Sequence, residues 1–169
     1  EFYYKVGGGP MFDMGPYYLT ALINLLGPIN RVTGSAKISF KERLITSKPK
    51  SGTKIKVDTP THIAGVIDFK AGAVATIITS FDAWHAQFHP ITVFGSEGTL
   101  LVPDPNNFDG EVKIRRFDSE EWTVVQPEPG FYGKQRGTGV ADMAYALLSG
   151  RSHRANGELA YHVLDAMQS

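Results

Sequence analysis

Three consecutive glycines near the start of the chain are the first residues whose pattern could do chemistry. Gly7, Gly8 and Gly9 invite comparison with the glycine-rich turn that binds the pyrophosphate of a dinucleotide. That fingerprint needs a further glycine where Phe12 stands, a preceding strand, a βαβ unit and an acidic residue about 20 positions further on. None of these is present, so we interpret the glycines as a tight backbone turn before Asp13.

Histidines that could bind a metal are the second candidate. The chain has five of them, and His85 and His89 are four residues apart with Asp82 nearby. On a helix this spacing could place two ligands on one face, but the surrounding sequence is typical of a strand or turn and offers no third ligand. We therefore expect no metal site, and we keep His85 as a candidate that faces a substrate cleft.

Basic side chains are concentrated in one stretch of the sequence. They are Lys41, Arg43, Lys48, Lys50, Lys54 and Lys56. No aromatic residues are interleaved with them as a stacking platform for nucleic-acid bases. We interpret the stretch as the solvated face of a loop.

The composition limits the class of protein. The 169 residues fit a single domain with its own core, and 42% of them are apolar. With 17 basic and 17 acidic side chains, the balance gives no electrostatic reason to expect a nucleic acid or an anionic membrane as partner. No segment approaches the roughly 18 apolar residues of a membrane helix. The absence of cysteine excludes disulfides and thiolate ligands, and it suits a cytoplasmic protein.

The periodicity of apolar side chains predicts the elements that position these residues. We predict a first helix that begins at Pro16, with Gly15 as its N-cap, and ends at Gly27. The predicted strands are 32–40, a short one at 55–57, 61–69, 73–81, 91–94, 99–102, 111–117 and 122–125, and two further helices are 138–149 and 157–167. This order predicts an α+β fold with a largely antiparallel sheet.

The hairpin predicted between positions 61 and 81 carries apolar residues on both faces. Ile63 and Ile67 alternate with Ala64 and Val66, and a strand of this kind needs cover on both sides. We expect helices to cover one face and a partner subunit to cover the other.

Four phrases in order identify a family. They are Gly7 to Leu19 with Leu25-Leu26-Gly27, Asp68-Phe69 to Gly72-Ala73, Phe94 to Leu100, and His153 to Glu158. Together they resemble the C-terminal domain of the Gfo/Idh/MocA oxidoreductases, the family of glucose–fructose oxidoreductase and inositol dehydrogenase. The resemblance covers essentially the whole chain.

The resemblance implies an open-faced, mainly antiparallel sheet with helices packed on one face, which shapes a substrate site and packs subunits together. An N-terminal Rossmann domain, absent from this chain, would bind NAD or NADP and supply a catalytic lysine. The family's catalytic motif in the C-terminal domain is Asp-x-x-x-His at the start of the first helix. Asp13 matches it, and Tyr17 stands in the histidine position. Because the chain begins at Glu1 without an initiator Met, we expect it to be a fragment.

A tyrosine can replace the histidine only if its phenolate is stabilised. Hydride transfer from an alcohol carbon requires a group that removes the hydroxyl proton. Tyrosine ordinarily has a pKa of about 10, and a helix N-terminus and a nearby lysine both favour its ionised form. Tyr17 falls at the second position of the predicted helix. The alternative is that Tyr17 is an ordinary half-buried aromatic residue and that Asp13 caps backbone N–H groups.

The sequence is therefore interpreted as one domain, residues 1–169, of an NAD(P)-dependent oxidoreductase that acts on a sugar-like or polyol substrate. We expect Asp13 and Tyr17 to be catalytic, a homo-oligomer through the sheet face, and no nucleic acid or membrane as partner. The chain alone should bind no cofactor and have no turnover. Two alternatives stay open: a non-catalytic dimerisation module and a stand-alone carbohydrate-binding domain.

Overall fold

Helices and antiparallel strands follow one another in the predicted order, with one addition, a short strand at residues 42–44 that the sequence analysis did not predict. The computed structural model describes residues 1–126 and 136–169. The elements are α1 (Pro10–Leu26), β1 (Ile29–Lys37), β2 (Glu42–Leu44), β3 (Lys54–Lys56), β4 (His62–Phe69), β5 (Val74–Ser80), β6 (Ile91–Gly95), β7 (Gly98–Val102), β8 (Val112–Arg116), β9 (Thr123–Val125), α2 (Thr138–Ser149) and α3 (Gly157–Gln168). The α+β class with open antiparallel sheets is confirmed.

The elements group into two units. The first unit comprises Glu1–Trp84 and Gly157–Ser169, and the second comprises His85–Asn156. The first unit contains a three-stranded sheet in the order β1-β4-β5 and the small β2-β3 hairpin. The second contains the meander β6-β7-β8-β9 and helix α2. Each neighbouring pair of described strands is antiparallel.

Helix α1 begins two turns earlier than the sequence analysis predicts. Pro10 is its first residue, and the first helical hydrogen bond runs from the Asp13 N–H to the Gly9 carbonyl oxygen at 3.0 Å. Pro16 lies inside the helix, where it removes one backbone donor. The predicted start was wrong because both prolines satisfy the preference for the first helical turn, and contacts elsewhere in the chain select the earlier one.

The β4-β5 hairpin is confirmed, and it forms the centre of the first unit. Ile67 pairs with Ala75 and Ile63 pairs with Thr79. Ile67 and Phe69 are buried on the face that α1 covers, together with Leu19 and Leu22 from the helix. The core of the first unit therefore lies between this sheet and its helices.

Helix α3 returns to the first unit and packs beside α1. A Cβ atom added at Gly15 would lie 2.8 Å from the Met11 sulfur and 3.2 Å from the Met167 sulfur, so the glycine makes room for both methionines between the helices. His162 then accepts a hydrogen bond of 2.9 Å from the Ile29 N–H at the start of β1. This bond ties α3 to the edge strand of the sheet.

The opposite face of the β1-β4-β5 sheet is open. Because side chains alternate along a strand, Val66 and Ile78 point away from the helices, and their exposed fractions are 37% and 65%. Val74 lies on the same face and is 68% exposed. The prediction that the hairpin carries apolar residues on both faces is correct, and among the described residues only those on the helix side cover the sheet.

A polar network fixes the end of β5. The Asp82 carboxylate accepts hydrogen bonds from the Arg43 guanidinium and, at 2.6 Å, from the Thr61 hydroxyl. Its backbone N–H donates to the Ser80 hydroxyl at 3.1 Å. Burial acts to raise the pKa of Asp82, but hydrogen bonds from Ser39 and Thr61 and the charge of Arg43 outweigh it and hold the pKa below its ordinary value. The side chain of Asp82 is only 11% exposed.

Substituting Asp82 tests how much this network stabilises the fold. We expect Asp82→Asn to lower the free energy of unfolding by about 1–3 kcal/mol at pH 7, because the amide cannot replace the charged acceptor of Arg43. The pKa of Asp82 is lower in the folded chain, so the stabilisation is complete above the ordinary carboxyl pKa of about 3.9 and is lost as the pH falls below it. Urea unfolding across that range should show the two proteins converge. Equal stability at pH 7, or a difference matched by the exposed control Asp118→Asn, would contradict this account.

Candidate functional site

Asp13 and Tyr17 lie one turn apart on the same face of α1. The buried stripe of the helix runs through Met11, Gly15, Leu19 and Leu22. At 100° per residue, positions 13 and 17 fall on the opposite side. Asp13 is half-buried, and Tyr17 is 47% exposed. The two side chains predicted to be catalytic are therefore presented together, away from the core.

Neither side chain is engaged within the described part of the chain. In residues 1–126 and 136–169 the Asp13 carboxylate and the Tyr17 hydroxyl make no hydrogen bond or ion pair. Asp13 lies in the first turn of α1, where the partial positive charge of the helix N-terminus stabilises a carboxylate. A half-buried carboxylate of this kind is available to a ligand. The alternative role, in which the Asp13 carboxylate caps backbone N–H groups, would require a hydrogen bond that the described residues do not form.

Tyr17 is not at the helix N-terminus, contrary to the prediction. It is the eighth residue of α1, about two turns from the first, because the helix begins at Pro10. The field of a helix terminus falls off within its first turn, so α1 cannot supply the phenolate stabilisation that the sequence analysis assigned to it. Any such stabilisation has to come from another group.

His85, the third candidate, belongs to the other unit. It is the first residue of the second unit, and its side chain is exposed. The first unit therefore brings together only Asp13 and Tyr17, and the assignment of His85 to a substrate cleft stays a prediction.

The other charged candidates have structural partners. Across the described ranges, no group of three or more His, Asp or Glu residues could hold a metal ion, and the Asp82 carboxylate is occupied by Arg43 and Thr61. Much of the basic stretch is neutralised locally. Lys50 pairs with Glu1 at 2.6 Å, Lys54 with Glu42 at 3.5 Å, and Lys56 with Asp58 at 2.7 Å.

Trp84 is a residue that the sequence analysis does not single out. It follows Asp82 by two positions at the end of the first unit, and its indole is 91% exposed. In the sequence it stands between Ala83 and His85, after a predicted strand. Exposure of this degree depends on the tertiary fold and is not visible in the sequence pattern.

No helix in the described residues is long and apolar enough to cross a bilayer.

Comparisons with known proteins agree with the geometry. The family model of the GFO/IDH/MocA C-terminal domain matches residues 1–101. No match was found among curated proteins.

Solved structures share the fold at low sequence identity. An NAD binding oxidoreductase from Klebsiella pneumoniae is 22% identical with a TM-score of 0.73, covering 96% of this chain and 47% of that one. An aldose-aldose oxidoreductase from Caulobacter crescentus complexed with glycerol is 19% identical with a TM-score of 0.70, covering 96% and 44%. Levoglucosan dehydrogenase in complex with NADH and L-sorbose is 18% identical with a TM-score of 0.70, covering 99% and 52%.

The chain spans about half the length of these structures. At such identities the likeness establishes the fold alone, whereas the family model matches more than half of the sequence. The resemblance seen in the four sequence phrases is therefore confirmed, and this chain belongs to the GFO/IDH/MocA C-terminal domain family.

Proposed function

We propose that this chain is the substrate-site and assembly domain of an NAD(P)-dependent oxidoreductase that acts on a sugar-like or polyol carbon. Family membership and the fold shared with named oxidoreductases support the reaction class. The glycerol and L-sorbose complexes of two similar structures support the substrate class. The observation that carries the proposal is the unpaired Asp13 carboxylate beside Tyr17 on the outer face of α1.

The residues of this chain do not fit a dinucleotide site. Where strands are described they pair antiparallel, whereas the dinucleotide fold is built from parallel βαβ units. Gly8 and Gly9, the last two glycines before α1, lie close against Tyr3, Thr59 and Pro60. The nicotinamide, which exchanges the hydride, would be held by a separate domain of the full-length protein. The chain by itself would then bind neither NAD nor NADP and have no turnover.

The proton of the substrate hydroxyl is the part of the reaction that this chain can handle. Tyr17 is half-exposed and can hydrogen-bond a substrate oxygen directly. Asp13 is about 6 Å away at the Cβ level, the normal separation one helical turn apart. A carboxylate that close repels a phenolate, so its role is to accept a hydrogen bond and orient the tyrosine or the substrate. The positive charge that favours the phenolate would come from a lysine of the separate domain.

The open sheet face supports the assembly role. Val66 on the central strand β4, with Val74 and Ile78 on the edge strand β5, forms an exposed apolar patch on a sheet whose other face is covered by helices. A second copy of the chain that covers this patch would remove its apolar surface from water. The same patch is equally consistent with the alternative function, in which the full-length protein is a non-catalytic dimerisation module.

Turnover by the full-length protein separates the two functions, because a non-catalytic module has none, and Tyr17→Phe then tests whether Tyr17 handles the proton. If Tyr17 handles the proton, removal of its hydroxyl should lower kcat of the full-length enzyme by about 10²–10⁴-fold and leave thermal stability unchanged. The matched control Tyr161→Phe removes a hydroxyl from an exposed tyrosine on α3 and should leave kcat unchanged. Steady-state kinetics decides the matter. A normal kcat for Tyr17→Phe would mean that the proton is handled elsewhere.

Introducing a charged side chain on the open face of the β1-β4-β5 sheet tests whether this face forms the interface between subunits. Val66→Asp or Ile78→Asp should shift the full-length protein from dimer or larger toward monomer in light scattering, because the carboxylate would be buried against a second copy. Val125→Asp on β9 is the matched control, since Val125 and Val66 are 40% and 37% exposed. A wild-type monomer at high concentration, or equal effects from face and control variants, would contradict this interface.

A further inference from the structure

The open face of the β1-β4-β5 sheet carries a titratable group, the imidazole of His62. Cross-strand pairing places Lys37 of β1 and Ser80 of β5 on either side of His62 in β4, on the same face. Ile78 is two residues before Ser80, so it also lies on this face, about 7 Å away along the strand. A second copy that covers Ile78 over an interface of ordinary size therefore covers His62 as well.

The hydrogen bonds of His62 are satisfied when its imidazole is neutral. Its Nδ1 atom lies 3.0 Å from the Ser80 hydroxyl oxygen, which accepts a hydrogen bond of 3.1 Å from the Asp82 backbone N–H. A serine hydroxyl has a single proton, and Ser80 can donate it to Nδ1 of the neutral ring. In the protonated ring Nδ1 is itself a donor, so the Ser80 proton has to find another acceptor.

The charge nearest to His62 in the strand pairing is positive. On β1 the Lys37 ammonium belongs to the residue directly opposite His62, and like charges in a cross-strand pair destabilise each other. Beyond the end of β5, the Asp82 carboxylate already accepts hydrogen bonds from Arg43 and Thr61. A proton on His62 therefore adds to the charge of Lys37.

The carboxylate on the same face of β4 is also occupied. Asp68 lies six residues from His62, about 20 Å along the strand, and it accepts a hydrogen bond of 2.7 Å from Arg31. This ion pair carries no net charge, so the Asp68 of a second copy would not compensate a protonated His62. The helices cover the opposite face of the sheet.

We propose that His62 makes assembly through the open face depend on pH, so that two copies associate while its imidazole is neutral and separate when it is protonated. This inference rests on the proposed assembly role of that face. In a two-fold symmetric pair the same patch lies on both sides of the interface, so the pair contains two His62 side chains and two Lys37 side chains. Burying a charge without a partner is costly, and the lysines increase the repulsion.

The direction of the effect follows from the number of protons that each state binds. If the dimer excludes protonated His62, it binds fewer protons than two separate chains, and acid favours dissociation. An ordinary histidine has a pKa of about 6.5, so each of the two imidazoles weakens the dimer about tenfold between pH 7.5 and 5.5. The dissociation constant should therefore rise by about 100-fold over this range, with the dimer stable above it.

Analytical ultracentrifugation of the full-length protein at pH 7.5 and 5.5, at constant ionic strength, measures this change. His62→Gln cannot titrate and keeps an amide that can bond Ser80, so its dimer should be insensitive to pH in this range. Lys37→Gln should dimerise more tightly than the wild type at pH 5.5, because the like charge opposite His62 is removed.

His153→Gln is the matched control, because His153 lies in the second unit and its Nδ1 is also hydrogen-bonded, at 2.8 Å from the Ala155 carbonyl oxygen. This variant should respond to pH like the wild type. Circular dichroism at both pH values separates dissociation from unfolding. If His62→Gln melts below the wild type, His62→Asn supplies a second neutral side chain with the same expected insensitivity.

The outcomes distinguish the inference from the assembly role. A dimer that keeps or increases its affinity at pH 5.5, or neutral His62 variants that respond like the wild type, would overturn the inference alone. A wild-type monomer at pH 7.5, or a dimer unaffected by Ile78→Asp, would refute the assembly role and the inference with it.

Discussion

The close approach of Gly8 and Gly9 to neighbouring backbone determines where α1 begins. A Cβ atom at Gly8 would lie 2.6 Å from the Tyr3 carbonyl oxygen, and one at Gly9 would lie 2.9 Å from the Pro60 carbonyl oxygen. Gly9 also has φ of 91°, a conformation that other residues rarely adopt. Any side chain at either position would clash with these neighbours and displace the start of the helix. The position of Asp13 therefore depends on two residues that do no chemistry.

The packing of α1 on one face of the sheet places the open sheet face and the outer side of α1 on different surfaces of the first unit. One face of the β1-β4-β5 sheet is used for the core, and its other face is left open with Val66 and Ile78 exposed. The outer side of α1 carries Asp13 and Tyr17, and the end of β5 leads to Trp84. Under the proposed function, assembly uses the open sheet face, and chemistry uses the edge where α1 starts. A mutation on one surface can then change assembly without changing the reaction.

Local signals in the sequence were sufficient for the β4-β5 and β6-β7 hairpins and for the family, but not for the β2-β3 hairpin. The β4-β5 hairpin follows from a period of two on each side of a short polar turn around Gly72. The helix start could not be predicted, because Pro10 and Pro16 carry the same local preference and only contacts with Thr59 and Pro60 distinguish them.

Features that join distant parts of the chain were beyond the sequence pattern. In the Asp82 network, Arg43 and Asp82 are 39 positions apart, and sequence reasoning treated Arg43 only as one cation of a solvated loop. The exposure of Trp84 also depends on contacts between distant parts of the chain, since its sequence neighbours do not predict whether it will be buried in the core. The predicted helix began after Asp13, so the position of Asp13 one turn from Tyr17 on the same face follows only from the earlier helix start. The distance of Tyr17 from the helix N-terminus also depends on where the helix starts.

The central claim is that Tyr17 meets the reacting oxygen of the substrate. The most direct measurement is a crystal structure of the full-length protein with its nicotinamide cofactor and a bound sugar. We expect the Tyr17 hydroxyl oxygen within about 2.6–3.2 Å of the substrate oxygen whose carbon exchanges the hydride. A structure in which Tyr17 points into solvent or packs against protein, while another side chain contacts that oxygen, would contradict the account.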